Sequence, residues 1–104
     1  MYIILTSKPG QYRSEATDGL QPLESYVYRY DGRHVATFTI AALQCETRVK
    51  IVDEGTPANV NLVPTKFFDH FDTREAAFQS MSDLAGASHA DAQIVPLDAP
   101  ASAS

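Results

Sequence analysis

Residues 24–40 read "ESYVYRYDGRHVATFTI", with a tyrosine at every second position from Tyr26 to Tyr30. Asp31-Gly32 is a dipeptide that favours a two-residue type I′ hairpin, a turn that needs positive φ at both central residues. β-Branched and aromatic residues fill both flanks, as strands prefer. A regular register around this turn sets Tyr30 opposite Arg33, Tyr28 opposite Val35 and Tyr26 opposite Thr37. The other face then pairs Val27 with Ala36 and Leu23 with Ile40.

A second hairpin is expected around Gln44-Cys45, joining "TFTIAAL" to "ETRVKIVDE". In that register Ile40 faces Val49 and Phe38 faces Ile51, while Thr39 faces Lys50. The two hairpins agree on their faces. One collects Leu23, Val27, Phe38, Ile40, Val49 and Ile51; the other collects Tyr26, Tyr28, Tyr30, Val35, Thr37, Thr39, Arg48, Lys50 and Val52. A one-residue slip in either would scramble that separation, so the pattern predicts a three-stranded meander over residues 23–53.

Around this centre, "YIILTS" (residues 2–7) reads as a further strand ended by a Pro9-Gly10 turn. Residues 11–22 show no regular period and read as a polar loop. Val60–Val63 is a short strand candidate, and "TKFFDH" (65–70) a single helical turn behind Pro64. "FDTREAAFQSMSDLAG" carries the helix signal. Asp72 is the expected cap, with Glu75 three residues on. Ala77, Met81, Leu84 and Ala85 form the apolar stripe, and Gly86 is the expected stop. "QIVPL" suits a sheet edge, where proline is tolerated. The fold class expected is therefore α+β: an antiparallel β-meander of three to five strands covered on one face by a C-terminal helix. Residues 1–97 make one small domain, and residues 98–104, "DAPASAS", read as a disordered tail.

Composition narrows the function classes. The 104 residues carry a net charge of −5, and nucleic-acid binding is driven by clustered positive charge, so no nucleic-acid partner is expected. Charge is unevenly placed, with six Lys/Arg against five Asp/Glu in residues 1–51 and two against eight in 52–104. Cys45 is the one cysteine, which excludes an intrachain disulfide or a cysteine-built metal site and suits a reducing, cytoplasmic setting. No membrane partner is expected, since no run approaches the roughly 20 apolar residues that span a bilayer.

Nucleotide-binding and metalloprotease fingerprints are absent, and no cofactor or metal is expected. Asp69 and His70, with Asp72 and Glu75 nearby, are the densest set of catalytic residue types, but their spacing matches no strong motif. His34 falls opposite Arg29, an awkward neighbour for a proton acceptor. Cys45 beside Glu46 lacks the positive charge that activates a thiolate. The remaining candidate is the sheet face itself. Tyr26, Tyr28 and Tyr30 with Arg48 and Lys50 form an aromatic and basic surface with no evident cover if the helix takes the other face. Tyrosine and arginine are enriched at interfaces. The sequence thus predicts a non-catalytic binding or accessory module that works as a homodimer or as a small subunit with a protein partner. The second reading is a small-molecule-binding protein or small enzyme, holding an aromatic small molecule in a pocket lined by Tyr28 and Arg48.

Overall fold

A computed structural model describes residues 1–55, 59–84 and 92–96. Among the described residues seven strands and one helix follow in the order β1 (Tyr2–Ser7), β2 (Tyr12–Glu15), β3 (Leu20–Tyr30), β4 (Arg33–Leu43), β5 (Arg48–Asp53), β6 (Val60–Pro64), a 3-10 turn (Thr65–Phe67), α1 (Arg74–Leu84) and β7 (Ala92–Pro96). The strands make two antiparallel sheets, ordered β1-β4-β3-β7 and β2-β5-β6. The fold is α+β, with α1 against one face of the four-stranded sheet and the three-stranded sheet against the other. Among the described residues no helix is long and apolar enough to cross a membrane. The tail, the helix stop at Gly86 and the last stripe residue Ala85 fall outside the described residues.

The Asp31-Gly32 turn forms as its chemistry dictates, with φ of 53° and 77°, and Tyr30 pairs with Arg33. Then the register departs from a regular ladder. Arg29 pairs with His34 but Tyr28 with Ala36, leaving Val35 as the extra residue of a β-bulge. A second irregularity leaves Leu23 unpaired between Pro22 and Glu24. Both bulged residues are exposed. Between them Tyr26 stands opposite Phe38 and Glu24 opposite Ile40. Side-chain direction alternates along a strand, so one extra residue exchanges the faces of everything beyond it.

The face under α1 therefore holds Tyr26, Ala36, Phe38 and Ile40 around Ala77 and Met81, with Tyr2, Ile4, Tyr28 and Ile94 at its margins. This corrects the expected grouping. Val27 belongs to the opposite face, Leu23 to the surface, and Val49 and Ile51 to the other sheet. An apolar face seals better under the helix than a threonine-rich one, and the bulge is what delivers the tyrosines there.

The second hairpin is also corrected. β4 pairs with β1, from Tyr2 opposite Ala42 to Ser7 opposite Thr37, and not with β5. β1 is apolar on both sides: Ile3 and Leu5 are buried in one cluster, while Tyr2 and Ile4 pack on the other. Such a strand belongs between two covering layers. Residues 44–47 carry the chain across to the second sheet instead. There Gln44 N donates to Gly19 O at 2.8 Å. Gly19 has φ of 94°, and a β-carbon at that position would lie 2.9 Å from Cys45 Sγ.

The predicted loop over 11–22 contains β2, which pairs with β5 from Tyr12 opposite Asp53 to Glu15 opposite Lys50. Behind Pro9, Gly10 takes φ of 77° and Gln11 N donates to Lys8 O at 3.0 Å, so β1 turns directly into β2. Val49 and Ile51 of β5 then meet Ile3, Leu5, Leu20 and Ala41 across the two sheets. The helix begins one residue later than its expected cap. Thr73 Oγ1 accepts from Ala76 N at 3.0 Å, the role assigned to Asp72. Ala77 and Met81 are buried as expected, whereas Leu84 is exposed.

Candidate functional site

The predicted site residues separate into distinct places. Tyr26 is 8% exposed and meets Phe78 edge-on at 5.3 Å between ring centroids. Its hydroxyl donates to Glu24, and the Arg74 guanidinium hydrogen-bonds both Glu24 oxygens. Arg74 holds the Glu24 carboxyl below the ordinary carboxylate range. Burial, followed by the Glu24 hydrogen bond, pushes the Tyr26 phenol up. Tyr28 is half-buried and stacks on Phe38 at 6.2 Å. Tyr30, at the hairpin end, is 39% exposed. Most of the tyrosine face thus has its cover within the chain.

Arg48 and Lys50 lie on β5 in the other sheet, so Tyr28 and Arg48 do not share a pocket. His34 stands opposite Arg29 as expected, with Nε2 at 2.8 Å from Thr37 Oγ1. Asp69 and His70 diverge. Asp69 lines a cavity of about 210 Å³ with Ile4, Thr6, Phe71 and Ser80. His70 turns the other way, placing Nδ1 at 2.7 Å from Phe68 O and Nε2 at 3.1 Å from Glu46 Oε2. Both ring nitrogens face oxygen acceptors, so the ring donates at both only as the imidazolium. Among the described residues no three His, Cys, Asp or Glu side chains come together as a metal site.

What Arg48 and Lys50 do join is the outer face of the three-stranded sheet. The register aligns its residues in rows across the strands: Arg13, Val52 and Val60; Glu15, Lys50 and Leu62; Arg48 and Pro64. Val60 is 56% and Leu62 51% exposed. Around the corner Phe67 is 72% exposed, with Lys66 Nζ 5.5 Å from its ring centroid. Between these elements runs an open groove of about 590 Å³, lined by Thr17, Arg48, Leu62, Pro64 and Lys66 over Glu46 and Thr47.

The groove has a firm base. Thr65 is fully buried; its hydroxyl donates to Glu46 Oε1 at 2.5 Å and accepts from Thr47 N at 3.0 Å. The Thr65 hydroxyl, and then His70, lower the Glu46 carboxyl from its ordinary value. Thr17 Oγ1 donates to Arg48 O at 2.5 Å, tying the approach to β3 onto β5.

Charge on this face is only partly compensated. Glu15 bridges Arg13 at 2.6 Å and Lys50 at 3.8 Å, and Glu54 reaches Arg13 at 3.5 Å. Among the described residues neither Arg48 nor Lys66 forms a salt bridge. The result is a strip of half-exposed aliphatic side chains beside Arg48 and Lys66, with the Glu46 carboxylate in the same groove near Lys66. Sequence reading found Arg48 and Lys50 but missed Val60, Leu62 and Lys66. The signal was present: in "NVNLVP" the apolar positions alternate in phase with Arg48 and Lys50 across the sheet. It was obscured because Asn61, on the face it shares with Ile51, is polar and itself exposed, so the run does not read as a strand with one buried face. Compared with protein-family models, curated proteins and solved structures, the chain finds no match.

Proposed function

We propose that this protein is a non-catalytic binding or accessory module, a small subunit that holds a protein partner on the outer face of β5 and β6. The observation that carries this reading is the exposure of Val60 and Leu62, at 56% and 51%, next to Arg48 and its groove. Contiguous exposed apolar surface rimmed by polar groups marks interaction sites, and arginine is enriched in them. Most of the tyrosine face, the contact surface expected from the sequence, is covered by the chain's own helix and sheet, with Tyr30 left exposed. The reading therefore moves to the surface where Arg48 and Lys50 stand. A cytoplasmic setting belongs to the same proposal, supported by the exposed single thiol of Cys45.

Site-specific photocrosslinking in cells tests it. A benzophenone amino acid replaces Leu62 in one strain and the exposed helix residue Gln79 in another. The expected result is a discrete protein adduct from position 62 and none from position 79. Equal labelling from both positions, or none from either, overturns the proposal. An adduct at twice the chain's mass identifies the partner as a second copy.

A further inference from the structure

The open side of β6 carries more than exposed side chains. Asp53 N donates to Asn59 O and Thr65 N to Thr47 O, each at 2.8 Å, at the two ends of the β5–β6 ladder. Hydrogen-bonded and non-hydrogen-bonded pairs alternate in an antiparallel ladder. Given the pairing of Val49 with Val63 and Ile51 with Asn61, that alternation turns the N–H and C=O of Val60 and Leu62, and the C=O of Pro64, away from β5. Among the described residues no strand lies on that side of β6.

The geometry points to strand addition: an extended acidic segment of a partner protein pairs with the free edge of β6 and sets a carboxylate between Arg48 and Lys66. This inference rests on the binding reading above and names its partner class and mode. An added strand takes its affinity from main-chain hydrogen bonds and its specificity from alternate side chains. Residues of the added strand opposite Val60 and Leu62 place apolar side chains beside them on the outer face. Two positions further, opposite Pro64, a side chain enters the groove that Arg48 and Lys66 line with Glu46.

Charge selects the occupant. Arg48 and Lys66 lack a salt bridge among the described residues, whereas Lys50 and Arg13 are engaged by Glu15. Glu46, in the same groove, offsets part of the Lys66 charge, so Arg48 is the less compensated of the two. A second copy pairing β6 with β6 brings "NVNLVPTK", residues 59–66, which holds a lysine and no carboxylate. It leaves Arg48 without a carboxylate partner, while Lys66 already has Glu46 beside it in the groove. An acidic segment supplies the carboxylate Arg48 lacks, and charge-assisted hydrogen bonds to arginine are the stronger kind. Pro64 and Lys66 also guard the edge against unselective pairing, as prolines and lysines do on exposed strands.

The test uses the isotopically labelled protein and a capped peptide, Asp-Thr-Val-Thr-Val-Thr-Val-Thr-Asp, whose two acidic ends serve either strand direction. The expected result is slowed hydrogen exchange at the Val60 and Leu62 amides. The same peptide with lysine for aspartate should bind about tenfold more weakly, the equivalent of one charge-assisted contact. Arg48→Gln with Lys66→Gln should remove that preference while leaving the free protein's spectrum in place. Peptide methylated on its valine nitrogens, which all face β6 when valines stand opposite Val60 and Leu62, should fail.

No protection of Val60 and Leu62 at millimolar peptide, or equal binding of the lysine peptide, overturns strand addition. If the crosslink from position 62 still forms in that case, the binding reading stands and only the edge mode falls. If that crosslink also fails, both fall. A crosslinked adduct at twice the chain's mass replaces the acidic segment with a second copy.

Discussion

Arg74, the first residue of the helix, holds Glu24 of β3 through two guanidinium nitrogens, and the same carboxylate accepts the Tyr26 hydroxyl. This cluster fixes the helix start over the centre of the four-stranded sheet, where Phe78 packs against the Tyr26 ring. It joins residues 50 positions apart.

Glu24 links stability to acidity. Its carboxyl is held below 4.5 by Arg74, so the folded state binds a proton less readily than the unfolded state. Its contribution is fully present above the unfolded value and is lost as pH falls through the folded one. Glu24→Gln should cost about 1 kcal/mol near neutrality, a figure kept small because Arg74 is partly solvated. Urea unfolding of both proteins across the acid range checks this. The difference should shrink towards zero below the folded value; a gap that persists unchanged in acid would show that the carboxylate charge is not what Arg74 uses.

Val35 offers a test of register. The bulge absorbs one residue, so deleting Val35 leaves Tyr28 opposite Ala36 and Tyr26 opposite Phe38, with only the bulge removed. The deletion should cost about 1 kcal/mol, within the range of ordinary single changes. In a regular hairpin the same deletion would shift every pair beyond it and turn the tyrosines over. A thermal unfolding scan separates a small shift in midpoint from loss of the cooperative transition.

Those two regions also show what a sequence can disclose. The Asp31-Gly32 turn was legible because its requirement is local: two adjacent residues at positive φ. The helix start was legible to within one residue, since Thr73 and Asp72 both make good caps. The bulges at Val35 and Leu23 were not, because nothing in a valine or a leucine marks an unpaired strand position. The partner of β4 was half-legible. Tyr2 to Leu5 are apolar on both faces, which asks for cover on both sides, yet the expected β4–β5 hairpin took that edge by simple adjacency in sequence. With the faces exchanged, Tyr26 and Tyr28 went to the core, and Arg48 and Lys50 went to another sheet. The half of the candidate site that survived on the surface was its cationic half.

Thr65 measures how much the groove's base depends on one hydroxyl. Replacing it by valine keeps the volume but leaves the half-buried Thr47 N without its partner, while water can replace the hydroxyl at the exposed Glu46 carboxylate. Losing one hydrogen bond to a half-buried amide costs about 1 kcal/mol. Denaturant unfolding should show that decrease, and Thr65→Ser should recover most of it. Equal stability of the valine and wild-type proteins would mean the hydroxyl is dispensable.

Gly19 sits where two constraints coincide, and they can be separated. Its φ of 94° disfavours any side chain, and a β-carbon would meet Cys45 Sγ at 2.9 Å. Gly19→Ala should therefore destabilise by about 1–3 kcal/mol, the range for a residue held in a sparsely populated backbone region. Cys45→Ala removes the sulfur but not the backbone requirement, so the double variant should recover only part of the loss. Full recovery would assign the whole cost to the contact, and no recovery would assign it to the backbone. A double-mutant cycle on unfolding free energies distinguishes the three outcomes. The partial-recovery result would also locate the crossing between the two sheets, since Gly19 O receives Gln44 N at the point where the chain leaves β4.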